Sequence, residues 1–109
     1  MTEKELAEVL LQLQAESRLA GRNNPEVAIH SLMDKYDMLF LGAQFNTIYT
    51  DELLLMLKQK LNLLVSKEDL LKMVPTVCAA LHMHTEAMVN VKDMHEENPP
   101  IAQYSIELF

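Results

Sequence analysis

One cysteine, two glycines and no tryptophan occur in the 109 residues of this chain, and each scarcity removes a class of protein. With Cys78 alone, no internal disulfide and no cysteine-cluster zinc site can be built. Neither Gly21 nor Gly42 lies in a G-x-x-x-x-G-K or G-x-G-x-x-G arrangement, so the backbone cradle that phosphate loops require is missing. Apolar runs are short as well. Leu53 to Leu57 spans five residues between flanking charges, against the roughly 20 needed to cross a bilayer. Basic residues are the last shortage: nine Lys and Arg face sixteen Asp and Glu, a net charge of −7. Such a field repels phosphate backbones and anionic lipid surfaces, so neither nucleic acid nor membrane is an expected partner. The opening Met1-Thr2-Glu3-Lys4-Glu5 lacks the basic start and apolar block of a secretory signal, and the cytoplasm is the expected compartment.

What is present suits a globular chain. Half the residues are hydrophobic and 23% are charged, enough apolar surface to offset the entropy of ordering. The length fits one domain over 1–109, because two cores would each be too small to bury their surface well. Eight methionines against six aromatic residues provide adaptable packing, in a helical core or on a malleable binding surface.

Local signals divide the chain into elements. Thr2 and Glu5 have the spacing of a capping box, and Leu6, Val9, Leu10 and Leu13 follow at helical intervals, which predicts a first helix over about 3 to 20 with Gly21 ending it in the left-handed conformation. Asn23-Asn24-Pro25 marks a turn and a new start, with Asn24 as cap. Ile29, Leu32, Met33, Tyr36 and Phe40 then form the stripe of a second helix that Gly42 can terminate. Phe45 to Tyr49 suits a short strand. Thr50 is the expected cap of a third helix, with Asp51 and Glu52 in its first turn, and Ser66 with Asp69 caps a fourth. Pro75 interrupts the stripe of Leu70, Val74, Val77, Cys78 and Leu81. A break near Met73 and Val74 is expected, with a further helix from Pro75 to about Met83. Beyond it Val89 and Val91, then Ala102, Tyr104, Ile106 and Leu108, alternate with polar residues around a polar turn at His95 to Pro100, the pattern of a β-hairpin. The expected class is α+β and mostly helical: four or five short helices plus a C-terminal hairpin.

Candidate chemistry is sparse. Cys78 and His82, four residues apart, would share a helix face with His84 two residues beyond, and His95 and Glu86 could approach through folding to give a zinc set, although no C-x-x-C or H-E-x-x-H frames it. The apolar neighbours Val77, Ala79, Ala80 and Leu81 argue for a buried thiol and against a Cys-His nucleophile. His30 has no carboxylate constellation around it. A calcium loop starting at Leu41 fails, because Leu41, Ala43, Phe45 and Asn46 occupy the early ligand and turn positions. No catalytic residue, cofactor or resident metal is expected, and the chain is read as a non-enzyme.

The order of short strand, helix, broken helix and hairpin over about residues 45 to 109 resembles that of a winged helix. The resemblance implies a recognition helix within 66 to 83 and a wing within 86 to 109. From Val74 to Phe109, however, Lys92 is the only basic residue against Glu86, Asp93, Glu96, Glu97 and Glu107, one positive and five negative charges for a formal −4. Phosphate contacts supply most affinity for DNA, so this outline fits a protein partner or a homo-oligomer better. A non-catalytic protein-protein interaction module of adaptor, regulator or inhibitor type is the leading expectation. The alternatives are a winged-helix DNA-binding regulator using Lys58, Lys60, Lys67 and Lys72, or a small zinc-binding protein.

Overall fold

A computed structural model describes residues 1–22 and 24–109. Four helices carry most of the chain: α1 (Glu3–Arg22), α2 (Pro25–Tyr36), α3 (Thr50–Leu61) and α4 (Lys67–Ala80). Three strands, β1 (Thr47–Tyr49), β2 (His84–Val89) and β3 (Ile101–Glu107), form an antiparallel sheet in the order β1-β3-β2. The fold is α+β and mostly helical, with the expected hairpin at its end.

The helix starts follow from local chemistry. At α1 the Thr2 N–H donates to Glu5 Oε1 at 2.9 Å and the Glu5 N–H donates to Thr2 Oγ1 at 3.1 Å, so the capping box forms as expected. These bonds, the backbone one foremost, hold the Glu5 carboxyl below the ordinary glutamate range. At α4 the Asp69 N–H donates to Ser66 Oγ at 3.1 Å. Two other starts differ from expectation. Asn24 makes no side-chain cap bond, and Pro25 opens α2 on the strength of its fixed φ. Thr50 is not a cap at all: it is the first helical residue of α3, almost fully buried, and its hydroxyl oxygen accepts the Tyr104 N–H of β3 at 2.9 Å. Asn23, part of the expected turn, lies outside the described residues.

The helix ends depart further from the local reading. Helix α1 continues through Gly21 to Arg22, and Gly21 has no positive φ. Helix α2 stops at Tyr36, where Asp37 turns left-handed at φ 50°. Met38 and Phe40 stay buried although they lie beyond the helix, so the apolar stripe outlasts the helical backbone. Gly42 is needed in the following turn, at φ 88° between Leu41 and Thr47, which exchange backbone hydrogen bonds of 2.8 and 3.0 Å. Phe45, expected in the strand, is turn backbone at φ 53°. Pro75 neither breaks nor restarts α4, which runs through it. The buried face of Leu70, Val74, Val77 and Cys78 retains enough apolar area to offset one missing backbone bond.

The core joins these elements. Leu6, Leu10 and Leu13 of α1, Ile29 of α2, Phe40, Ile48, Leu53 and Leu57 of α3, Leu70 and Val74 of α4, and Ile106 and Leu108 at the end of the chain are all at most 2% exposed. Ile48 pairs with Ile106 across β1 and β3, so both sheet partners point into the helices. The chain end is held on three sides: the Leu108 N–H donates to the Asn46 carbonyl at 2.8 Å, Gln14 of α1 donates to the Leu108 carbonyl, and the Arg18 guanidinium lies over the Phe109 ring at 5.0 Å. Helix α2 is fixed to α1 by Glu16, whose carboxylate accepts from Lys35 Nζ at 2.6 Å and from the Tyr36 hydroxyl. Burial, with that bond behind it, pushes the Tyr36 phenol up. No helix among the described residues is long and apolar enough to cross a membrane.

Two sets of substitutions test these assignments by chemical denaturation. A Cβ on helical Gly21 meets open space, so Gly21→Ala should raise stability by about 0.5–1 kcal/mol, whereas Gly42→Ala should lower it by about 1–2 kcal/mol. Thr50→Val keeps the shape of the buried side chain but leaves the Tyr104 N–H without its acceptor. A loss of about 1–2 kcal/mol is expected, and an unchanged midpoint would show that the hydroxyl does not tie β3 to α3.

Candidate functional site

The residues singled out from the sequence, Cys78 with His82 and His84 and the four lysines, are not drawn into a single cluster. Helix α4 ends at Ala80, and His82 takes the left-handed conformation at φ 59° after it, so Cys78 and His82 do not share a helix face. The turn is closed by the Met83 N–H on the Cys78 carbonyl at 2.8 Å. Cys78 is fully buried in the core, and burial pushes its thiol up to about 11. His82 and His84 are exposed, and His84 Nε2 meets Glu86 Oε1 at 3.2 Å on the outer face of β2. Among the described residues no group of three or more His, Cys, Asp or Glu side chains is arranged to hold a metal.

The four lysines are likewise dispersed. Lys58 and Lys60, two residues apart on α3, point to different sides of the helix. Lys67 Nζ reaches Asp51 Oδ1 at 3.1 Å, and Lys72 Nζ reaches Glu68 Oε1 at 3.2 Å one turn back on α4. The charged side chains of α4 are Lys67, Glu68, Asp69 and Lys72, two of each sign, so this helix presents no net charge.

The hairpin is where sequence and structure concentrate surface character. Only its base enters the core, through Met83, Ile106 and Leu108. Farther out, pairing steps from Met88 with Gln103 to Val89 with Ile101, leaving Ala102 as a bulge that changes the course of β3. The connection then folds on itself in a short 3-10 turn, Val91–Asp93. The Asp93 N–H donates to the Asn90 carbonyl at 3.0 Å and the Glu96 N–H to the Asp93 carbonyl at 3.1 Å. Around this turn Val91 is 79% exposed, Met94 63%, Ile101 42% and Met88 37%. Glu86, Glu96 and Glu97 are exposed beside them, with Asp93 half-buried and Lys92 the single cation. Four apolar side chains outside the core cluster are thus gathered on the hairpin in an acidic setting.

Three surface clefts lie elsewhere on the molecule. A groove of about 320 Å3 between α1 and α2 is walled by Leu19, Ala20, Ala28 and Leu32, with Glu16 and Lys35 at its edge. A cleft of about 570 Å3 brings Arg18 and Arg22 beside Phe45 and Phe109, and a third of about 390 Å3 lies between Met33, Leu39 and Glu52. Comparison with family models, with curated proteins and with solved structures found no match to this chain.

The sequence reading placed the wing within 86 to 109 but missed the exposed quartet of Met88, Val91, Met94 and Ile101. Part of the signal was available: Met88 falls out of phase with the alternation of Val89 and Val91, whereas Val91 itself keeps that phase and is exposed because β2 ends at Val89. It also missed Leu11 and Leu19, which lie on α1 away from the core stripe and are 45% and 59% exposed.

A thiol reagent checks the placement of Cys78. In the native protein near neutral pH the neutral, enclosed thiol should label at least a hundredfold more slowly than in denaturant; rapid native labelling would put Cys78 at the surface as a ligand or nucleophile.

Proposed function

We propose that this chain is a winged-helix-like, non-catalytic module that binds a protein partner through its hairpin. The order α2, β1, α3, α4, β2, β3, with β3 central in the sheet, supports the winged-helix-like outline. The observation that carries the functional reading is the hairpin tip, where Met88, Val91, Met94 and Ile101 are exposed among Glu86, Asp93, Glu96 and Glu97. A wing that tracks a DNA backbone needs cations, and this one offers Lys92 against five acids. An apolar and basic protein surface fits it instead: methionine adapts to its neighbour, and the surrounding carboxylates attract and orient Lys or Arg on the partner. Adaptor, regulator or inhibitor are roles that such a contact can serve.

The DNA reading has one observation in its favour, the exposed Lys58 and Lys60, which enter no ion pair among the described residues. One experiment separates the two. A photo-crosslinker placed at Val91 should capture a protein from lysate of the source cells, and V91E/M94E should abolish binding of that protein once identified while K58A/K60A leaves it unchanged. Duplex binding near 50 mM salt that falls steeply with added salt, and is lost in K58A/K60A, would overturn the proposal.

A further inference from the structure

We infer that α1 is a self-complementary surface on which a second copy of this chain docks antiparallel, with Ala15 at the crossing point. The core stripe of α1 is Leu6, Val9, Leu10, Leu13, Ser17 and Ala20. At 100° per residue, Leu11, Ala15 and Leu19 lie on the opposite side, one ridge at four-residue spacing. Ala15 is exposed and the two leucines are 45% and 59% exposed, so the ridge has no partner within the chain. Two leucines flanking an alanine suit a helix crossing: the small residue admits close approach and the large ones close over each side. The apolar surface also runs on from Leu19 into the 320 Å3 groove between α1 and α2.

Charge selects the occupant and its direction. Glu8 and Arg22 lie on the same outward face, seven residues before and seven after Ala15, each roughly 10 Å from it along the axis. Both are exposed, and neither enters an ion pair among the described residues. A twofold axis at Ala15 brings Glu8 of one copy to Arg22 of the other, twice, and sets Leu11 beside Leu19 across the contact. A parallel pair would oppose Glu8 to Glu8 and Arg22 to Arg22, so the charges disfavour it. Two-residue matching of this kind is what an isologous interface requires. A single helix crossing buries less than the roughly 1,200 Å2 of a standard interface, so the dimer should dissociate on dilution.

This face is distinct from the hairpin, and the two readings fail separately. In sedimentation equilibrium the wild-type mass should rise toward twice the monomer as concentration approaches about 1 mM, and Leu19→Glu should remain monomeric while keeping its hairpin partner. E8R and R22E should each weaken association at least fivefold, and the double variant should recover to within about twofold, which a mere loss of folding cannot do. Under mild oxidation Ala15→Cys should form a disulfide-linked dimer, whereas Glu8→Cys, whose copies would lie roughly 20 Å apart, should not; the enclosed Cys78 stays silent. A strict monomer at 1 mM, no recovery in the charge swap, or equal cross-linking at positions 8 and 15 would overturn the antiparallel dimer and leave the hairpin reading standing. Loss of partner binding in no hairpin variant, with the dimer intact, would do the reverse.

Discussion

Pairing of the last strand between two others is the constraint on which the rest of this structure depends. Strand β3 lies between the other two and is hydrogen-bonded on both sides, to β1 through Ile48 and Ile106 and to β2 through Thr85 and Ile106. It carries Ile106 into the core and continues to Leu108, whose backbone is bonded to Asn46 and to Gln14. Thr50 adds a tie from α3 to Tyr104. Helix α1, at the other end of the sequence, is thereby tied to the final residues; α3 and α4 pack against β3, while α2 packs against α1. Such non-local contacts cost loop-closure entropy before they contribute, so the helices have to supply much of the stability by packing among themselves.

That division explains which elements could be read from sequence. Thr2 with Glu5 and Ser66 with Asp69 act within four residues, and both caps form as their spacing implies. The alternation ending in Ile106 and Leu108 likewise records one sheet face directly. The misreadings share a different origin. Thr50 has the chemistry of a cap, but a distant N–H claims its oxygen. Phe40 continues the spacing of α2, yet Asp37 turns the backbone and the ring is buried from a non-helical segment. Pro75 should break a free helix, but α4 is held by its buried face. In each case tertiary packing outweighs a local preference of about 1–3 kcal/mol.

The candidate surfaces were less legible for a related reason. Residue type alone does not say which apolar side chains are left over once a core is full. Helical spacing sets Leu11 and Leu19 opposite the stripe of Leu6, Val9, Leu10 and Leu13 but does not say whether another element covers them, and Val91 looks like a strand residue until the hairpin turns before it. The charge reading was more direct, because the imbalance of the last 36 residues is a property of composition that folding gathers onto one projection.

The two proposed contacts use that charge in different ways, and their physics differs accordingly. On the hairpin the acids share one sign, so their potentials add and reach outward over about a Debye length, roughly 8 Å at physiological salt. A basic partner is drawn in faster by this field, and added salt should act chiefly on the rate of its association. On α1, Glu8 and Arg22 cancel at a distance and matter only once two helices are aligned, so they contribute direction and little steering. Salt should therefore weaken the hairpin contact strongly and the α1 contact slightly, since the latter rests on Leu11, Ala15 and Leu19, whose association is set by apolar area and is insensitive to screening.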